Sequence, residues 1–377
     1  MAKKKSVKKQ TDLEAEESRV TSLELFFDLV FVFTLTQLTA LLAESLSWER
    51  LLQAFLIFIV LFWMYGGYVW LTNSVPPVTA DRQLLLIAGM AAFLICALAI
   101  PNAFQEANLA FGIGYLIVII VHSFMYVRAV GLKVARFVPM NFLAAAAIIA
   151  AGFAGGTLRY LLWIAAIGFH VITSFLGTGL RFELRVSHFV ERHGLLLLVA
   201  LGESIVAIGA GGLELNLRFL LAAVLGLLLT AALWWIYFAR DEEVARETML
   251  ARPNPEQLRQ ALGAFFYAFI PMLFGIILLA TGIKSSIEHL TARLDTGHAF
   301  AFGGGVGLYL IGTAIFRKAS GMPKVTYRYI AAGLAVLTGF VGSNLYAALQ
   351  FTFLILIVIG LVLAESDWLF VRQPGKG

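Results

Sequence analysis

The chain has a single cysteine, Cys96, among 377 residues, which excludes intramolecular disulfides and metal or redox centres built from several cysteines. Charged residues make up only 14% of the sequence, well below the share of about 25% that is usual in soluble domains. No phosphate-binding loop, Gly-x-Ser-x-Gly elbow or zinc-protease signature occurs. These absences argue against an ATP-driven pump, make an enzyme the less favoured class, and indicate no cofactor.

Hydrophobic residues are abundant instead, at 60% of the chain, with a mean hydropathy of +0.87. Apolar stretches of about 20 residues, the length that spans a bilayer, recur from end to end. The sequence therefore predicts an all-α polytopic membrane protein with about twelve transmembrane helices. We expect these helices at residues 21–43, 50–72, 82–101, 107–128, 136–154, 157–180, 186–211, 216–239, 257–283, 298–316, 326–345 and 347–365. The boundary between the last two helices is marked only by the sequence Gly-Ser-Asn at residues 342–344, so a single kinked element is an alternative there.

Lysine and arginine are distributed unevenly between the two sides that these helices define. A cytoplasmic N-terminus places most of the 28 basic residues in cytoplasmic segments, as is typical of membrane proteins. Both termini are then cytoplasmic, with polar tails at residues 1–20 and 366–377. The net charge of +5 reflects this topology and contact with membrane lipids, and it is no evidence for nucleic-acid binding.

Weak internal similarity relates the two halves of the chain. Glu24 in LELFFDLVFVFTLTQLT aligns with Glu191 in VERHGLLLLVALGESIVA, and LFWMYGGYVW resembles ALWWIYFARD in the same order. The similarity predicts two six-helix units, at residues 21–180 and 186–365. Because six is an even number, the two pseudo-repeats would have parallel orientations in the membrane, an arrangement found in some transporters.

Glu24 and Asp28 are the first candidate functional residues. They lie four residues apart at the start of the first apolar segment, so they share one face of the predicted helix. Ionisable residues inside membrane helices are rare and are more often functional than not. For Glu24, capping of the helix N-terminus is a sufficient alternative. Asp28, one turn deeper, is a candidate for binding an ion or a substrate.

The seventh predicted helix places His188, Glu191, Arg192 and Glu203 on one side. Glu203 lies roughly 16 Å beyond Arg192 along the axis, near the bilayer centre, and must be protonated, paired or in contact with water. The other three could instead form a cytoplasmic cluster that fixes helix packing. The His-x-x-Glu spacing can supply metal ligands, but no second such motif accompanies it, so we predict no metal site.

His122 and His170 lie on the fourth and sixth predicted helices. Two such histidines could ligate a haem, but their depths below the cytoplasmic ends differ by roughly 7 Å. Packing, or membership of a proton relay, is the better interpretation.

Four blocks of sequence, in order from the first to the tenth predicted helix, resemble the bacterial low temperature requirement A (LtrA) family. The blocks are ELFFDLVFVFTLTQLT, HFVERHGLLLLVALGESIVAIGAG, ALWWIYF and GGGVGLYLIGTAIFR. The resemblance implies a multispanning bacterial inner-membrane protein, linked by family name to growth in the cold, and brings no established substrate. The ninth helix, FFYAFIPMLFGIILLATGIK, lacks the His expected in the family, so no role for that His applies here.

Our leading hypothesis from the sequence is a secondary transporter of a small solute or ion, coupled to protons or another cation. Asp28 and Glu203 would carry the ion or the substrate charge. One alternative is a membrane-embedded redox enzyme, or one that modifies lipid or quinone, acting through the His and Glu residues. Another is a structural membrane protein whose acids only pair with buried arginine.

Overall fold

A computed structural model describes residues 20–131, 138–176, 184–210 and 216–365 of the chain. Within these ranges the regular structure is helical and no strand occurs, which confirms the all-α prediction. The tails predicted at residues 1–20 and 366–377 lie outside the described residues, apart from residue 20.

The helices follow the predicted segments closely. Their bounds are α1 (Ser22–Glu44), α2 (Trp48–Ser74), α3 (Ala80–Ala99), α4 (Asn108–Val130), α5 (Val138–Phe153), α6 (Gly156–Leu176), α7 (Val186–Ala210), α8 (Leu217–Phe238), α9 (Asp241–Leu250), α10 (Asn254–Gln260), α11 (Phe269–Glu288), α12 (Thr296–Ala319), α13 (Val325–Asn344) and α14 (Ala347–Glu365). A 3-10 turn at Ile100–Asn102 follows α3, and a π-helical segment, Ala261–Tyr267, joins α10 to α11.

Eleven helical segments of the described chain are long and apolar enough to cross a membrane. The last two predicted helices are separate, since α13 ends at Asn344 and α14 begins at Ala347. Helix α5 is the exception in length: its 16 residues extend for about 24 Å, less than the roughly 30 Å of a bilayer core. The protein is therefore a polytopic helical membrane protein.

The chain divides into two compact units. The first unit comprises residues up to 34 together with 59–196 and 252–257. In it, α4 packs against α3 and α5, and α5 packs against α6. Phe27 and Phe31 of α1 lie one residue before and three residues after Asp28. Phe31 stacks on Tyr65 of α2 with ring centroids 4.2 Å apart, and Phe27 meets Phe93 of α3 edge-on.

The second unit comprises residues 35–58, 197–251 and those from 258 onward. Here α12 packs against α11 and α13, and α14 packs against α13 and α8. Helices α1, α2, α7 and α10 thus contribute residues to both units. This division concerns compactness and does not test an internal duplication, so the two pseudo-repeats at 21–180 and 186–365 stay a prediction.

Glycines bring the backbones of α11 and α12 into close contact in the second unit. A Cβ atom on Gly305 would lie 2.7 Å from the carbonyl oxygen of Gly275 and 2.5 Å from the backbone nitrogen of Leu279. On another face of α12, a Cβ on Gly303 would collide with the carbonyl oxygen of Ala335 in α13. Small residues at such crossings are typical of membrane helix pairs, so these glycines serve packing on two faces of an unbroken helix.

The glycines of α12 allow a matched test of this packing. We expect Gly305→Ala to destabilise the protein by about 1–3 kcal/mol, because the new methyl group must push two backbones apart. Gly304→Ala is the control, since a Cβ there meets nothing within 4 Å. Thermal unfolding of both purified variants in the same detergent measures the difference. Equal midpoints would contradict the proposed backbone contact.

Candidate functional site

Helix α1 begins with a capping box made by Thr21 and Glu24. The Glu24 backbone N–H donates to Thr21 Oγ1 over 3.3 Å, and the Thr21 backbone N–H donates to Glu24 Oε2 over 3.0 Å. The Thr21 hydroxyl also donates to Oε2, over 2.8 Å. This reciprocal pattern satisfies N–H groups that a helix start leaves without intrahelical partners. Glu24 therefore does cap the N-terminus of α1, and this capping accounts for its contacts with Thr21.

Arg192 of α7 joins Glu24 to Asp28. Its Nη1 lies 3.1 Å from Glu24 Oε1, and its Nη2 lies 3.1 Å from Asp28 Oδ1. Nη1 also donates to the hydroxyl of Thr72 in α2, and the guanidinium carbon lies 5.8 Å from the centre of the Phe27 ring. The three charged side chains are at most 1% exposed. One arginine thus connects two buried carboxylates of α1 to α7.

His188 completes this group of residues, and its neighbours determine its tautomer. The side-chain amide of Asn73 forms a reciprocal pair with the backbone of Arg185: Nδ2 donates to the Arg185 carbonyl, and Oδ1 accepts from its N–H, both over 3.1 Å. Nδ2 therefore faces His188 Nδ1 as a donor at 3.2 Å, so Nδ1 must accept. The proton of a neutral imidazole is then on Nε2, which donates to Glu24 Oε2 over 3.2 Å.

We call Glu24, Asp28, His188 and Arg192 the Arg192 cluster. Its two carboxylates are satisfied unequally. Both oxygens of Glu24 accept hydrogen bonds, whereas at Asp28 the hydroxyl of Tyr65 and the guanidinium both donate to Oδ1. Asp28 Oδ2 is buried and has no hydrogen-bond partner among the described residues. Two carboxylates thus face one guanidinium in the cluster.

The remaining acids of the sequence prediction lie elsewhere. Glu191, next to Arg192 and 100° around the helix, is exposed and does not join the buried cluster. Glu203 belongs to the second unit, is 5% exposed and accepts a hydrogen bond from the Thr36 hydroxyl over 2.7 Å. No ion-pair partner of Glu203 occurs among the described residues. Of the three states expected for Glu203 from the sequence, an ion pair does not occur among the described residues. Protonation and contact with water are the two that remain.

His122 and His170 are both buried in the first unit. The ring of His170 stacks on Trp63, and its Nε2 is hydrogen-bonded to the Tyr115 hydroxyl. His122 packs beside Gly67, one turn further along α2, in line with the depth difference expected from the sequence. In the described part of the chain, neither nitrogen of His122 has a hydrogen-bond partner, nor does His170 Nδ1. A relay role for these histidines stays a prediction.

A second buried group of charges was missed by the sequence analysis. It comprises Asp241, Arg317, Arg328 and Glu365, which we call the Arg328 cluster. Asp241 contacts Arg317 at 2.9 Å and Arg328 at 2.8 Å, and Glu365 contacts the same two arginines at 3.1 Å and 3.0 Å. Two arginines balance two carboxylates, so this cluster has no excess charge. It joins the start of α9, the end of α12, the start of α13 and the end of α14.

The ion pairs of Arg192 lead to a prediction for stability. Arg192→Met should lower the free energy of unfolding by about 3–5 kcal/mol, because it leaves two buried carboxylates without a counter-charge. The triple variant E24Q/D28N/R192M should recover much of this loss, since removing all the charges leaves none unpaired. Thermal unfolding in detergent measures the effect, with Glu191→Gln as an exposed control on the same helix. Equal losses in the single and triple variants would show that the charges are not the cause.

Comparison with known proteins places this site in a family. The family model described as bacterial low temperature requirement A protein (LtrA) matches residues 19–364. The chain is also similar to the uncharacterized protein RA0937 of Rhizobium meliloti (strain 1021), with 27% identity over 337 residues, which are 81% of this chain and 78% of that protein. The match contains every helix that carries the Arg192 cluster. The chain is a member of the bacterial low temperature requirement A (LtrA) family.

Proposed function

We propose that this protein is a secondary transporter of the bacterial inner membrane, coupled to protons or another cation, with both termini in the cytoplasm. The observation that carries the proposal is that two buried carboxylates share one guanidinium in the Arg192 cluster, and that Asp28 Oδ2 has no hydrogen-bond partner among the described residues. An uncompensated charge away from water costs several kcal/mol, and binding of a positive ion removes that cost. The distribution of Lys and Arg supports the orientation.

Asp28 is the proposed coupling residue. Its Oδ1 is held by Tyr65 and Arg192, while Oδ2 stays available, so an ion can bind and leave without loss of the contacts that position the side chain. When the carboxylate is neutralised, its attraction to Arg192 weakens, and Arg192 interacts more strongly with Glu24. Ion binding would thereby change the attraction between α1 and α7, which is the kind of differential contact that alternating access requires.

Glu203 is the proposed second acid, in the other compact unit. Its single hydrogen bond from Thr36 leaves the carboxyl group without a counter-charge among the described residues. An acid in this state responds to a change in hydration, because burial disfavours the charged form and water stabilises it. His122 and His170 are proposed members of a proton relay, since both nitrogens of His122 and Nδ1 of His170 are buried without a hydrogen-bond partner among the described residues.

A structural role is the second candidate, and one observation favours it: Arg192 contacts both Glu24 and Asp28. If these contacts served only to fasten α1 to α7, replacing Asp28 by the isosteric Asn would affect stability alone. The two candidates therefore differ in whether ion movement depends on Asp28 in protein that is folded.

Purified full-length protein in proteoliposomes tests the proposal. Internal pH would be followed with a trapped dye, under an imposed pH gradient or potassium diffusion potential, while a panel of small solutes and cations is offered. We expect at least one condition in which the wild type moves protons or cations. Asp28→Asn and Glu203→Gln should reduce that rate to the rate of protein-free liposomes.

Glu191→Gln is the matched control, because it removes an exposed carboxylate that lies beside Arg192 on α7. Size-exclusion chromatography and the orientation of the reconstituted protein would be compared for all variants. Full flux in both Asp28→Asn and Glu203→Gln, beside an active wild type, would remove these acids from the mechanism. A wild type that moves nothing across the panel would favour the structural candidate.

A further inference from the structure

We propose that the ion taken up by the Arg192 cluster is a proton, held on Oδ2 of Asp28, and that the cluster does not bind a metal cation. This inference rests on the proposed function, because it names the coupling ion of the same site. It is carried by the hydrogen-bonding character of the groups that surround the two carboxylates, together with the positions of the charges.

The groups that face these carboxylates are donors. Glu24 accepts from the Thr21 backbone and hydroxyl, from His188 and from Arg192, and Asp28 accepts from Tyr65 and Arg192. Sodium, magnesium and calcium bind instead through several oxygen lone pairs that converge on the ion. Three of the four oxygens of these carboxylates are already directed at N–H and O–H groups. Among the described residues, no group of three or more His, Cys, Asp or Glu side chains is placed to hold a metal ion together with Oδ2.

Arg192 also opposes a metal ion by its charge. Its Nη2 lies 3.1 Å from Asp28 Oδ1, and the two oxygens of a carboxylate are close neighbours. A cation bound at Oδ2 would therefore lie a few ångströms from a guanidinium in a buried site, where repulsion between like charges is weakly screened. A proton neutralises Asp28 by forming a covalent O–H bond, and the new group is neutral.

The geometry selects Asp28 over the other titratable groups of the cluster. Glu24 Oε2 already accepts three hydrogen bonds, and Oε1 accepts one from Arg192, so a proton on Glu24 would weaken its ion pair. A second proton on His188 would belong on Nδ1, where it would face the amide N–H of Asn73, and the backbone of Arg185 prevents that amide from flipping. The hydroxyl of Tyr65 is engaged in donation to Asp28. Among the described contacts, Oδ2 of Asp28 is the one carboxylate oxygen of the cluster that has no hydrogen bond to lose.

The proton balance of the site is simple. A hydronium ion supplies a proton to Asp28 Oδ2 and leaves water, which converts the Asp28 carboxylate into a neutral carboxylic acid. Release to water on the other side of the membrane restores the carboxylate. No metal, oxidant or further reactant takes part in the cycle.

Infrared spectroscopy of the full-length protein in lipid nanodiscs tests this assignment without transport. We expect a carbonyl stretching band of a protonated carboxylic acid that is lost in Asp28→Asn and shifts in frequency in Asp28→Glu. The band should persist in His188→Gln, which keeps an N–H donor but removes the imidazole, and in Glu191→Gln. A spectrum that is identical in wild type and both Asp28 variants throughout a pH titration would overturn the assignment.

Equilibrium binding of radiolabelled sodium to the same preparations tests the exclusion of metal cations. We expect no saturable binding that depends on Asp28, so wild type and Asp28→Asn should give the same isotherm. Saturable sodium binding lost in Asp28→Asn would overturn the inference and leave a cation-coupled transporter in place. A protonated Asp28 in a protein that moves no ion or solute would instead contradict the proposed function and leave the proton assignment standing.

Discussion

The contact between one guanidinium and two carboxylates is the interaction on which the packing of the first unit around the start of α1 depends. Arg192 reaches both acids of α1 and a hydroxyl of α2 from α7. The consecutive helices α1 and α2 thus share one charged centre with α7, which is distant in sequence. Buried ion pairs of this kind add little net stability relative to apolar packing, but the loss of one partner is costly. The ion pairs therefore determine which helices pack together, and they add little to the stability of that packing.

The two buried clusters use the same residue types with different charge balance. In the Arg328 cluster two arginines neutralise two acids, and each acid contacts both arginines. Because its charges already balance, this cluster needs no further ion, and this suits a fixed junction of helix ends. The Arg192 cluster has one arginine for its two acids, so its carboxylates outnumber its guanidinium groups.

The sequence predicts helix positions well because the bilayer fixes the length of each apolar segment. It also contains the Thr21-x-x-Glu24 spacing of a capping box. The positions of His122 and His170 within their apolar segments indicate that the two side chains lie at different depths. The sequence could not show that α1 meets α7, because the choice of a partner helix depends on packing that no local pattern records. The sequence analysis placed Glu191 on the same side of the helix as His188 and Arg192. A rotation of 100° from Arg192 leaves its side chain exposed. The Arg328 cluster joins four helix ends, at the start of α9, the end of α12, the start of α13 and the end of α14. An alternating topology places such ends on one side of the membrane, and that regularity was the signal available in the sequence.

The capping box at Thr21 has a consequence for how the charge of Glu24 is understood. Its hydrogen bonds to the helix start require an oxygen acceptor on a side chain of this length, and glutamine supplies one as well as glutamate does. Helix α1 could therefore begin equally well with an uncharged residue at this position. The carboxylate at position 24 therefore has a second role that an amide could not fill: it gives Arg192 of α7 a counter-ion that does not depend on Asp28.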